Sequence, residues 1–179
     1  MTTANTLAAL VNSSSQVVVP SGGINFGTSS DGTGTVTSGV MDDFEEGTFT
    51  PRYDSNDGDK LCGDDVATGH YTKIDNIVYV SGLLSTNGGT TQDVWVMLAG
   101  IPFAPDTSKI GGICIMTAEN FAGEAPLSGM ITSTANGGFI LQYRNTADGS
   151  TAFLQDGDLS TTASAAQNRI RFFGHYYTT

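Results

Sequence analysis

From residue 48 to the C-terminus, apolar residues recur at alternate positions in short runs, and each run ends at a cluster of Gly, Pro, Asn or Asp. A period of two puts successive side chains on opposite faces of an extended chain, whereas a helix needs recurrence at three and four. This pattern is the signature of a β-sandwich or barrel. The candidate strands are residues 48–53, 68–74, 77–85, 93–99, 112–117, 128–133, 139–143, 151–155 and 169–177. The clearest hairpin turns at Asp75-Asn76, because Asp and Asn tolerate the positive φ that a two-residue turn demands. In the last strand Ile170, Phe172, Gly174 and Tyr176 share one face, and Arg171, Phe173, His175 and Tyr177 share the other. Aromatic residues on both faces predict cover on both sides, and in so small a domain a neighbouring subunit is a natural second cover.

Composition agrees with strands. Charged residues make up only 14% of the chain, against about 25% in ordinary domains. Ser, Thr, Asn and 23 Gly take their place, and these are poor helix formers. The net charge is −11 with seven Lys and Arg in total, which argues against nucleic acid as a partner, since phosphate binding needs clustered cations. Cys62 and Cys114 have no CxxC spacing and read as reduced thiols. No run approaches the roughly 20 apolar residues of a membrane span, so membrane insertion is not expected. The opening MTTANTLAALVNSSS has no positive n-region and does not read as a secretory leader.

Residues 1–40 differ from the rest, with no Lys or Arg and a single acid, Asp31. Leu7, Leu10 and Val11 stand at i, i+3 and i+4, which predicts one or two helical turns too short to be stable alone. Val18, Ile24 and Phe26 are further apolar anchors on an extended segment. A segment unable to bury its own apolar residues reads as an attachment arm, weighed against a disordered one, and residues 41–179 as the head.

Little in the sequence points to catalysis. No GxSxG elbow appears, and no long repeat of the β-helical kind found in depolymerising spikes. The chain therefore reads as a non-enzyme without cofactors. The acidic stretch 54–65 is expected to be a long polar loop; Asp57, Asp59, Asp64 and Asp65 offer a calcium reading, weighed against a solvated loop. His70 and His175 lack ligand partners at metal spacing and read as strand histidines packed beside aromatics. Sugars stack on exposed aromatic faces. Trp95, Tyr53, Tyr143 and Tyr177 are the candidate glycan platforms, with Phe173 beside them, each weighed against a core or interface role.

Four motifs carry a family resemblance. Residues 40–51, VMDDFEEGTFTP, resemble the "LDDYEEGTWTP" box that introduces the C-terminal β-domain of phage tail-fibre-like proteins, especially of marine and cyanobacterial phages. TGHYTKIDNIVYVSGLL (68–84) resembles the family's "GTYTKIGNRVFVNGRI" hairpin, AGIPF (99–103) its "TGLPF" corner, and IRFFGHYYT (170–178) its closing "IRVSGTYFT" strand. The motifs come in the family's order and frame nearly everything from Val40 onward. Phe44 and Phe49 depart from the usual Tyr and Trp, and His175 from a small residue. Within the box, Phe44 and Phe49 are expected to point inward, while Asp42, Asp43, Glu45 and Glu46 face solvent or meet Arg52 or Arg169.

The resemblance implies an antiparallel, jelly-roll-like β-sandwich head, homotrimeric, displayed on a virion. Taken with the apolar arm and the candidate aromatic platforms, it gives a tail-fibre or tip subunit, held to another virion protein by the arm through Leu7, Leu10, Val11, Val18, Ile24 and Phe26, and recognising host-surface polysaccharide. The alternative is a capsid decoration, cement or neck-fibre protein with a purely structural role.

Overall fold

The computed structural model describes residues 10–11, 17–18, 24–25, 40–41, 43–89, 92–131, 137–145 and 149–179. The chain divides into two units, Met1–Phe44 and Glu45–Thr179. In the first unit β1 (Leu10–Val11) pairs antiparallel with β2 (Val17–Val18), and β3 (Ile24–Asn25) with β4 (Val40–Met41). Leu10 and Val11 are thus in a strand and not in the expected helical turn. A single turn gains too few hydrogen bonds to repay its nucleation, and the β-branched Val17 and Val18 supply an extended partner. Leu7 and Phe26 lie outside the described residues.

The remaining strands are β5 (Phe44–Phe49), β6 (Arg52–Ser55), β7 (Cys62–Ile74), β8 (Ile77–Gly89), β9 (Val96–Ala99), β10 (Gly112–Glu119), β11 (Ser128–Ile131), β12 (Phe139–Arg144), β13 (Thr151–Phe153) and β14 (Gln167–Tyr177). A 3₁₀ turn at Asp156–Asp158 is the only helical element among the described residues. The protein is all-β. Its main sheet runs in the order β5-β7-β8-β14-β10-β11-β12-β9-β6, with β13 beside β12. Hydrogen bonds thus trace one path, curled into a half-barrel, where the sequence reading anticipated the two layers of a sandwich.

The cause of the curl sits in the TFTP sequence. Residues 48–53 were expected to form one strand, but they are split by Thr50 and Pro51. Pro51 has no N–H to continue a ladder. The chain therefore leaves one edge of the path at Phe49 and joins the opposite edge at Arg52. Three residue steps span at most about 11 Å, so the two edges must lie close together. Gly100 lies against this crossing with φ at 77°, and a Cβ there would strike the Thr50 carbonyl. Only glycine suits that corner.

One apolar cluster fills the inside of the curl, with Tyr53, Leu84, Leu98, Phe139, Phe172 and Tyr176 all buried. Each fully buried large side chain contributes about 1.5–3 kcal/mol. Along β14 the two-residue period holds as expected: Ile170, Phe172 and Tyr176 are buried, while Arg171, Phe173 and His175 are exposed. The Tyr176 hydroxyl donates to the Phe103 carbonyl and accepts from the Phe103 N–H, both at 3.1 Å, which ties the AGIPF corner to the central strand.

The acidic box behaves differently from expectation. Phe49 packs on Phe172 with ring centroids 6.4 Å apart, in space that Gly69 leaves open. Phe44 does not point inward; it is 59% exposed. The two stand five positions apart, an odd offset, so on one strand they cannot share a face. Glu45 accepts a hydrogen bond from the Tyr71 hydroxyl, and Glu46 one from the Thr72 hydroxyl at 3.4 Å. The expected arginine partners go elsewhere, Arg52 to Asp54 at 2.8 Å and Arg169 to Glu119 at 3.6 Å. Asp42 lies outside the described residues, and Asp43 is exposed.

Candidate binding surface

Trp95 stands immediately before β9, whose four residues Val96–Ala99 are all buried. The buried strand is a rigid base for the exposed residue ahead of it. Asn56 fixes the Trp95 backbone through two hydrogen bonds: its side-chain oxygen accepts the Trp95 N–H at 3.1 Å, and its own N–H donates to the Trp95 carbonyl at 3.2 Å. Behind it, the buried Asp156 carboxylate accepts the backbone N–H groups of Gln92 and Val94, and the Asp156 N–H donates to the Val94 carbonyl at 3.0 Å. Asp93 takes the left-handed φ of 61° needed to turn the chain between them. The indole packs on Phe153, with centroids 4.9 Å apart and rings tilted by 56°, and stays 39% exposed. A shallow depression of about 350 Å³ beside it is lined by Asn56, Asp57, Asp93, Val94 and Trp95.

The other candidate platforms do not gather here. Tyr53 is fully buried, and its hydroxyl donates to the Asn168 carbonyl at 2.8 Å. It cannot stack on a ligand, and burial pushes its ionisation well above the usual tyrosine range. Tyr143 is half-buried against the core. Tyr177 is half-buried, edge-on to His175 at 6.2 Å and beneath the Lys109 ammonium at 5.2 Å. In the first unit Leu10, Val11, Val18 and Ile24 lie in the two-residue ladders.

The acidic stretch 54–65 is not one long loop. Asp54 and Ser55 are buried in β6, Leu61 is buried, and Cys62 already opens β7. Asp64 pairs with Lys60 at 2.7 Å, and Asp65 accepts from the Ser85 hydroxyl at 3.1 Å and the Ala166 N–H at 3.0 Å. Among the described residues no group of three acids, histidines or cysteines is placed to hold a metal ion. Both cysteines are free thiols.

A second surface was only partly legible. Outward-facing residues line up across five strands in two rows: Met130, Gly112, His175, Tyr79 and Thr72, then Ser128, Cys114, Phe173, Ser81 and His70. Tyr79 and Phe173 are about half exposed, and the neighbouring Met116 is more so. The Tyr79 and His175 rings lie 6.0 Å apart. A hollow of about 260 Å³ on this face is lined by His70, Tyr79, Ser81 and Phe173 among others. Neither row contains a carboxylate, although the chain carries 18 acidic residues. The missed signal was Tyr79 and Cys114, each on the solvent side of an alternating run, where a polar residue is the usual choice.

Among the described residues no helix is long and apolar enough to cross a membrane. Comparison of the chain with protein-family models, with curated proteins and with solved structures found no match.

Proposed function

We propose that the protein is a virion subunit of a bacterial virus, a homotrimeric tail-fibre or tip protein that recognises a host-surface glycan. The observation that carries this reading is the two-row outer face. Its core side is already filled by other residues, so the exposed surfaces of Tyr79, Phe173, Met116 and Met130 are left over after the core is packed. Exposed apolar patches of this kind mark interaction sites. The occupant is a second copy of the chain: copies at net charge −11 repel one another least where carboxylates are missing, and this face has none in its two rows. The half-barrel then serves as the sandwich-like head of each subunit, and the first unit as its attachment arm.

Recognition falls to Trp95. One shallow aromatic shelf binds a sugar at about −4 to −6 kcal/mol, a millimolar to high-micromolar affinity. Three heads per trimer and several trimers per particle raise avidity by about 10² to 10⁴ without a new contact. Particles stripped of this chain should therefore adsorb to host cells on the order of 10²-fold less. Particles whose copies lack residues 1–40 should lose the protein altogether, because the arm holds it. Normal adsorption by stripped particles would reassign the chain to a decoration, cement or neck-fibre role.

A further inference from the structure

The lining of the Trp95 depression carries two carboxylates, Asp57 and Asp93, and no Lys, Arg or His. A carboxylate is acceptor-only, so it receives hydrogen bonds from sugar hydroxyls and repels other anions. Both aspartates are exposed. Neither is neutralised by a cation in the lining. Asn56 ties the parts together, since its side-chain nitrogen donates to Asp57 at 3.3 Å while its oxygen holds the Trp95 N–H. The aromatic ring and at least one acceptor are thus set relative to each other before any ligand arrives, which lowers the ordering cost of binding.

We propose that this depression takes an uncharged pyranose, stacked on the Trp95 indole with its hydroxyls donating to Asp57 and Asp93, and that the two carboxylates reject uronic and other acidic sugars. The inference rests on the glycan-recognition reading and adds the class of glycan. A sugar's apolar ring face suits the indole, and its hydroxyl rim suits the acceptors. A uronate brings its charge to within a few ångströms of two like charges, which in a solvent-exposed site weakens binding about tenfold at low salt. Screening should shrink that penalty as ionic strength rises.

Trp95 is the only tryptophan in the chain, so tryptophan emission reports this site alone. The full chain should be titrated with neutral oligosaccharides built on glucose, mannose, galactose and N-acetylglucosamine, and in parallel with oligogalacturonate. At least one neutral series should shift the emission with saturation, and oligogalacturonate should bind about tenfold more weakly than it at low salt. In the double variant Asp57→Asn, Asp93→Asn the gap should close to about twofold. Asparagine tolerates the left-handed backbone at position 93 and both positions are exposed, so the variant is expected to fold. Oligogalacturonate binding as well as the neutral sugars, or a gap that persists in the double variant, would overturn the inference while leaving glycan recognition standing. Emission unmoved by every saccharide, while acrylamide still quenches Trp95, would remove both.

Discussion

Replacing Asn168 with alanine should destabilise the head by about 3–5 kcal/mol, a large fraction of the 5–15 kcal/mol that holds a typical domain together. Asn168 is fully buried at the irregularity where β14 shifts register against β8. Its side-chain oxygen accepts the Ser160 N–H at 2.6 Å, and its nitrogen donates to the Thr86 hydroxyl at 2.9 Å and the Ser160 carbonyl at 3.1 Å. Its own carbonyl accepts from Tyr53, the buried tyrosine of edge strand β6. Alanine would leave the Ser160 groups buried without partners and would sit at a φ of 47°, where a Cβ is unfavourable. Asn168→Gly removes the same hydrogen bonds without that backbone penalty, so it should be milder by about 1 kcal/mol. Urea unfolding at neutral pH measures both. A loss below 1 kcal/mol for the alanine variant would mean that the knot does not hold the sheet closed.

Raising the pH from 9 to 12 should cost the head several kilocalories per mole. Burial pushes the Cys62 thiol up from 9.0 to about 11, and the Tyr176 phenol up from 10.0 to about 12 despite its bond from Phe103; Tyr53 is raised further still. A raised acid keeps its proton longer in the folded state than in the unfolded one. Between the two pKa values the unfolded chain binds fewer protons, so stability falls as pH rises through that window and is fully present below it. Cys62 and Tyr176 each contribute about 2–3 kcal/mol of this loss. The melting temperature should be flat up to about pH 9 and then drop by roughly 10–20 °C. A melting temperature that stays level to pH 11 would show that these groups are solvated, and that the cluster inside the curl is not closed.

The parts that could be read from the sequence are those decided locally. The Asp75-Asn76 turn pairs Ile74 with Ile77 as expected, with Asp75 at a φ of 55°. The inward and outward sets of β14 follow from period two alone. Errors arose where a distant partner decides. Tyr53 reads as a platform or as a core residue until Asn168, 115 residues away, accepts a hydrogen bond from its hydroxyl inside the core. Leu10 and Val11 fit a helical stripe as well as a strand, and only pairing with Val17 and Val18 separates the two. Trp95 reads as a platform or as a core or interface residue, and the structure leaves it 39% exposed. Its fixing by Asn56, 39 residues earlier, was beyond any local pattern. The box at 40–51 is visible in the sequence, yet the role of its TFTP end as the crossing between opposite edges depends on the order of all nine strands of the path.

The proposed self-association through the two-row outer face is what most separates this reading from a solitary binding domain. It can be measured without knowing host or receptor. Light scattering of the purified full chain at micromolar concentration should give three times the 18.6 kDa of one chain. The same measurement on Phe173→Asp, which places a charge in the middle of the face at an exposed position, should give the mass of a single folded chain. A wild-type protein that runs as a monomer at that concentration, or a Phe173→Asp protein that remains a trimer, would contradict it.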